Sequence, residues 1–244
     1  MYGQATGRRA HGWHESSVAT SGRRYARRRH VGAAAIAFGR GATRLEQLRA
    51  LPRVPGEATF FYTDRLLHRD AVKVLPGERF VSRLDLVITT VLGSCIAACI
   101  WDGKARVGGM NHFMLPDGDR SDGAGRYGSY AMELLISELL RAGAQREDMR
   151  AKVFGGAQVM AGLATLNVGA RNTRFVLDYL GAERIPVVAQ DVLGIYPRKV
   201  CFLPVSGKAM VKCVAHARPE RLVAQERSGH AVAVARWVSD GLLT

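Results

Sequence analysis

Cysteine is scarce in this chain. Its 244 residues hold four, Cys95, Cys99, Cys201 and Cys213, too few and too scattered for a secreted scaffold stapled by disulfides. Free thiols suit a reducing compartment, so a cytoplasmic location is expected. Long apolar runs are also missing. None reaches the roughly 18 residues that a membrane-spanning helix needs, so no membrane span is expected. No internal repeat recurs. Lysine is absent from residues 1–57, which hold 11 arginines and three acids for a net +8. The remaining 187 residues carry 24 basic and 18 acidic side chains, a net +6. The arm lacks the alternation of aromatic and basic residues that would stack single-stranded nucleic acid, and nucleic acid is not an expected partner. Its basic cluster and the apolar run after it lie more than twenty residues into the chain, the wrong place for an export signal.

What remains reads as one folded domain with two extensions. Residues 1–57 are taken as a solvated, disordered arm, with Pro52, Pro55 and Gly56 as a linker. Its removal is expected to leave folding intact. Residues 58–216 are long enough to bury one sizeable core, and 217–244 form a partly helical tail. Leu86 to Val91, Ile96 to Trp101, Val107 to Leu115, Lys152 to Phe154, Ile185 to Gln190 and Lys199 to Leu203 read as strands. Ser206-Gly207 marks a hairpin between Leu203 and Ala209. Tyr127 to Arg141 is an amphipathic helix stopped by Gly143, and a second helix around Phe175, Val176 and Tyr179 is ended by Gly181. Helices falling between strands predict an α/β fold. We expect a layered α/β sandwich, single-domain, with a mixed, mainly antiparallel sheet.

One stretch carries chemistry. Thr89-Thr90-Val91-Leu92-Gly93-Ser94-Cys95 opens it, and Gly108-Gly109-Met110-Asn111-His112-Phe113-Met114-Leu115-Pro116 closes it. Asp102-Gly103-Lys104 supplies the turn between two strands. Antiparallel pairing of those strands brings Cys95 and His112 to one end of the sheet, where a thiol and an imidazole can act as a couple. Gly93 allows a tight turn before the thiol. Each residue also has an ordinary explanation, because buried cysteines and lone strand histidines are common in cores. A metal site is rejected. Cys95 and Cys99, four apart in a strand, lie about 13 Å apart, too far to share one tetrahedral ion. No cofactor is expected. Gly155-Gly156 follows a strand without the Lys-Ser/Thr of a phosphate loop, and reads as a place for close backbone packing or substrate approach.

The string Leu-Gly-Ser-Cys-x-Ala-x-Cys followed by Gly-Gly-Met-Asn-His-Phe-Met-Leu-Pro resembles the chemoreceptor glutamine deamidase family, CheD. Arg126-Tyr127-Gly128, Ala151 to Gly156, Asn167 to Asn172 and Arg198-Lys199-Val200 agree with it. The resemblance spans roughly residues 68–214. It implies an enzyme that hydrolyses specific glutamine side chains of bacterial chemoreceptors to glutamate in chemotaxis adaptation. Cys95 is then the nucleophile through a thioester, His112 the proton shuttle and Thr89 the residue that orients the imidazole. Thr90 lies on the opposite strand face and is set aside. Gly93, Ser94, Gly155 and Gly156 are expected around the oxyanion and substrate. The implied partners are the cytoplasmic helices of methyl-accepting chemotaxis proteins, with a CheC-type phosphatase as the further candidate. Two alternatives stand beside it: a non-catalytic adaptor for a chemotaxis phosphatase, and a related thiol amidase or esterase with another protein substrate. Asp191 to Pro197 departs from the glycine-richer stretch common in that family, which touches partner recognition and not the catalytic pair.

Overall fold

Strands that are apolar on both faces must be covered twice, and the middle of this chain has several. The computed structural model describes residues 14–15, 43–115, 122–158, 168–214, 224 and 228. Most of the Arg-rich arm and of the 217–244 tail lie outside the described residues. The elements run β1 (His14–Glu15), α1 (Arg44–Ala50), β2 (Phe60–Asp64), β3 (Arg69–Lys73), β4 (Arg79–Ser82), β5 (Val87–Leu92), β6 (Ile96–Asp102), β7 (Val107–Asn111) and α2 (Asp122–Arg141). Then follow β8 (Met149–Gly155), α3 (Val168–Ala182), β9 (Val187–Val192), β10 (Arg198–Leu203) and β11 (Lys208–Cys213).

The layered α/β arrangement is present, and its strands divide into two sheets. One has the order β1-β11-β10-β5-β3-β2 and the other β4-β7-β6-β8-β9. Each is mixed, with one parallel pair: β3 with β5, and β8 with β9. The sheets stack on a core of Phe61, Val72, Ile88, Leu92 and Phe202 from the first against Phe80, Ala97, Cys99, Met110 and Phe154 from the second. The other face of the second sheet carries Ile96, Ala98, Ile100 and Val153. It is covered by Met132, Leu135 and Leu139 of α2 and Val176 and Leu180 of α3.

Local chemistry sets the ends of the elements. The α2 helix stops where Gly143 takes φ 95° and the Ala144 N–H reaches back to the Leu139 carbonyl, a left-handed glycine stop. Gly181 does not end α3 as expected. That helix runs to Ala182, and the left-handed residue beyond it is Arg184, at φ 56°. The turn between β6 and β7 is capped by buried Asp102, whose carboxylate accepts from the Lys104, Ala105 and Gln145 N–H groups.

The arm requires a correction. Thr43 and Glu46 form a reciprocal capping box that starts α1, and that helix places Leu48, only 6% exposed, in the inter-sheet core. Arg53 stacks over the Phe61 ring at 4.8 Å, and the backbone of Glu57 pairs with that of Arg79 in an isolated β-bridge. Residues 43–57 thus belong to the domain. The arginine excess masked a short apolar stripe of Leu45, Leu48 and Leu51. Leu48→Ala should cost about 2–4 kcal/mol of stability in urea denaturation, and a protein starting at residue 58 should lose more. Unchanged urea midpoints would show that α1 contributes nothing.

Candidate active site

Cys95 sits just before β6, and His112 just after β7. The β6/β7 ladder pairs Cys99 with Met110 and continues in the bridge between Ile96 and Phe113. Extending that register puts Ala97 opposite His112, with Cys95 two residues further along the same face. Such diagonal neighbours are about 7–8 Å apart at the backbone, within reach of a ring. Both residues are buried, and the face they share looks toward the other sheet.

What meets His112 from that sheet is Thr90. Its Oγ1 lies 2.9 Å from His112 Nδ1. Thr89 lies elsewhere. Its hydroxyl is 2.9 Å from the Tyr62 hydroxyl and donates to the Val72 carbonyl at 3.4 Å. Its own carbonyl accepts from the Val74 N–H. The expectation that Thr89 orients the imidazole is therefore corrected, for the hydroxyl and for the carbonyl alike. The reason is strand alternation. Ile88, Thr90 and Leu92 face the inter-sheet core, whereas Val87 faces outward beside Ala71 and Cys201, and Thr89 shares its face.

The hydrogen bonds fix where the imidazole proton sits. A threonine hydroxyl has one proton to give, and Thr90 gives it to the Val74 carbonyl at 2.8 Å. Toward His112 it must then accept, so Nδ1 carries the hydrogen. Nε2 is left as a bare lone pair, buried and without a hydrogen-bond partner among the described residues. Burial pushes the His112 pKa down to about 4, with the charge of Lys73 adding to the effect and the Val74 carbonyl opposing it. At neutral pH the ring is an uncharged base with its acceptor nitrogen held ready.

The backbone around Cys95 is clamped from three sides. Gly156 N–H donates to the Cys95 carbonyl and Ala157 N–H to the Gly93 carbonyl, each at 2.8 Å. Gly155 has φ 113°, and a Cβ there would collide with the Cys95 carbonyl oxygen. Gly156 meets Gly169 of α3 just as closely, so these glycines serve close backbone approach. Asn172 of α3 closes the frame. Its Nδ2 donates to the Ser94 carbonyl at 2.9 Å, and its Oδ1 accepts from the Leu115 N–H at 3.0 Å. One buried amide thus joins the turn before Cys95 to the segment after His112. Sequence reading placed Asn172 in a family-like segment and gave it no role, because a polar helix residue shows its partners only in three dimensions. Tyr127 of α2 stands within electrostatic range of Cys95, and burial and that thiol both raise its pKa.

A cysteine, a neutral histidine of fixed tautomer and a threonine behind it are the components that a thiol-dependent hydrolase needs. Comparison with known proteins sharpens that class. A family model described as CheD chemotactic sensory transduction matches residues 114–213. A protein of Albidiferax ferrireducens named probable chemoreceptor glutamine deamidase CheD 1 is 66% identical over 211 residues, covering 86% of this chain and 90% of its own length. A protein of the same name from Burkholderia thailandensis is 55% identical over 160 residues, 64% of this chain and 68% of that one. This chain belongs to the CheD family. Among solved structures, the Bacillus licheniformis hypothetical protein YfiH aligns with a TM-score of 0.33 and 12% identity over 55% of this chain and 59% of that one, a likeness too slight to bear on fold or function.

The depressed His112 pKa has a thermodynamic signature. In the unfolded chain the ring takes up a proton below its ordinary value of 6.5, whereas in the fold it stays neutral down to about 4. The unfolded state binds more protons in that window, so stability is full above pH 6.5 and falls as the pH drops toward 4. Between pH 7.5 and 5, wild-type protein should lose about 2 kcal/mol more than His112→Gln, read from urea denaturation at the two pH values. Equal losses would mean that the imidazole is not the source.

Proposed function

We propose that this protein hydrolyses the side-chain amide of specific glutamines in bacterial chemoreceptors, releasing ammonia and leaving glutamate. The observation that carries the reading is the buried Nε2 of His112, held as a free base by the Thr90 hydrogen bond on the face it shares with Cys95. Family membership supplies the substrate class. The substrate segments are the cytoplasmic helices of the receptors. The reaction belongs in the cytoplasm, where a reducing environment keeps the thiol available, and a CheC-type phosphatase is the candidate regulatory partner.

In this mechanism the Cys95 sulfur attacks the amide carbon as its proton passes to Nε2. The resting histidine is neutral, so the thiolate forms with the attack and is not stored as an ion pair. The tetrahedral oxyanion is held by backbone N–H groups around Ser94 and Cys95, on the turn between β5 and β6. Asn172 keeps that turn in place through the Ser94 carbonyl. Nε2 then returns its proton to the departing nitrogen, which leaves as ammonia, and a thioester remains. Water attacks the thioester carbon as Nε2 takes its proton, and the C–S bond breaks. Nε2 returns that proton to the departing sulfur, and the new carboxylic acid gives its own proton to solvent to leave glutamate. Each time the ring is protonated, its Nδ1–H stays on Thr90 Oγ1, and the Val74 carbonyl 3.5 Å away adds a favourable dipole. Gly155 and Gly156 keep side chains out of the backbone contact beside Cys95.

Intact-mass analysis of a receptor cytoplasmic fragment tests the reading. Deamidation raises the mass slightly at each site, ester hydrolysis removes a methylene, and adaptor binding changes nothing. Cys95→Ala should abolish the change, whereas Cys99→Ala and Cys201→Ala should retain most of it. Turnover by Cys95→Ala would remove the nucleophile from this scheme.

The two threonines give a sharper test. Thr90→Val preserves shape and frees the ring to adopt either tautomer. It should lower kcat by roughly 10- to 1,000-fold, or about 1.4–4 kcal/mol in the barrier. Thr89→Val should be mild. A large loss with Thr89→Val and none with Thr90→Val would reverse the assignment.

A further inference from the structure

The chain passes from β9 to β10 through Leu193, Gly194, Ile195 and Tyr196, a turn whose composition works against folding. Leu193 is 43% exposed, Ile195 62% and Tyr196 51%, so three large apolar side chains stand in water within four residues. Leu193 also takes φ 63°, in the left-handed region that disfavours side chains with a Cβ. Strain and apolar exposure in one place point to use rather than stability.

The turn is nevertheless held firmly. Arg198 is buried and donates to the carbonyls of Asp191 and Leu193. It also donates to the Asp191 carboxylate at 2.6 Å. A buried guanidinium is committed to the shape of a surface turn. Two backbone bonds then tether the turn to the site: Leu193 N–H to the Gly155 carbonyl and Gln158 N–H to the Gly194 carbonyl, each at 2.8 Å. The neighbouring Gly156 N–H holds the Cys95 carbonyl.

Placement adds scale. In the second sheet β8 lies between β6 and β9, and the start of β6 and the ends of β8 and β9 share one end of the sheet. The turn thus stands two strand spacings, roughly 10 Å, from the backbone at Cys95. An α-helix with its side chains is about 10–12 Å across. A helix laid across this end of the sheet with its glutamine at Cys95 reaches this turn, with residues three or four positions from the glutamine facing it.

We infer that Leu193, Ile195 and Tyr196 form a rigid docking ledge for the apolar flank of an amphipathic helix that carries the target glutamine. The inference rests on the proposed function, for that reading makes the substrate a helix. Rigidity lowers the ordering cost of binding, and an exposed tyrosine on a fixed backbone is a typical anchor at protein interfaces. The ledge therefore selects substrates by what flanks the glutamine.

The test uses the full chain with the double variant Ile195→Ser/Tyr196→Ser, whose exposed positions leave folding alone. On a receptor cytoplasmic fragment, KM should rise at least tenfold while kcat at saturation stays within twofold. Binding of the same fragment to Cys95→Ala protein, followed by fluorescence anisotropy, should weaken by the same factor when the double change is added. Unchanged KM and unchanged binding would overturn the ledge. So would a change in oligomeric state on sizing without a change in fragment affinity, since the ledge would then serve a second copy of this chain. A fragment that binds, loses affinity with the double variant and yet is never deamidated by wild type would keep the ledge and overturn the proposed function.

Discussion

A single proton on the Thr90 hydroxyl governs the site. It can serve one acceptor, and the Val74 carbonyl at 2.8 Å takes it. Everything asked of His112 follows: which nitrogen bears hydrogen, which is bare, and where the ring can turn. The same contact spans the two sheets, since Thr90 belongs to the first, Val74 directly follows its strand β3, and His112 extends the second. The stacking of the sheets and the protonation pattern of the imidazole are therefore one constraint. A shift between the sheets by a fraction of a strand spacing would break the hydrogen bond before it disturbed the apolar contacts around it.

How much of this was legible in the sequence depended on distance along the chain. Cys95 and His112 are joined by one short hairpin, and a turn signal at Asp102-Gly103 sufficed to place them together. Thr90 was misjudged because β5 offers no polar face to set its phase. Leu86, Ile88 and Leu92 line one side, and Val87 and Val91 the other. Val87 is as fully buried as Ile88. With both faces apolar, the choice between Thr89 and Thr90 depends on which sheet lies across from which, and only the assembled layers decide that.

The division into two sheets was hidden for a related reason. The four residues of β4 carry the chain from the first sheet to the edge of the second, a segment too short for alternation to stand out. The short helix α1 was hidden by composition. Its two leucines, Leu45 and Leu48, form an apolar stripe with Leu51 at the C-cap, yet they lie among arginines in a region whose net charge suggested solvation. The strands around Cys95 and His112 and the helix ending before Gly143 were legible because period and punctuation agreed there.

Cys95 has no exposure to solvent in this fold. A sulfur so placed is as remote from peroxide as from a glutamine, and oxidation to sulfenic acid needs both access and thiolate character. With His112 uncharged at neutral pH, no imidazolium stands beside Cys95 in the resting fold. Oxidation of Cys95 therefore waits on local opening of the fold, so the thiol's reactivity reports how often that part of the structure opens.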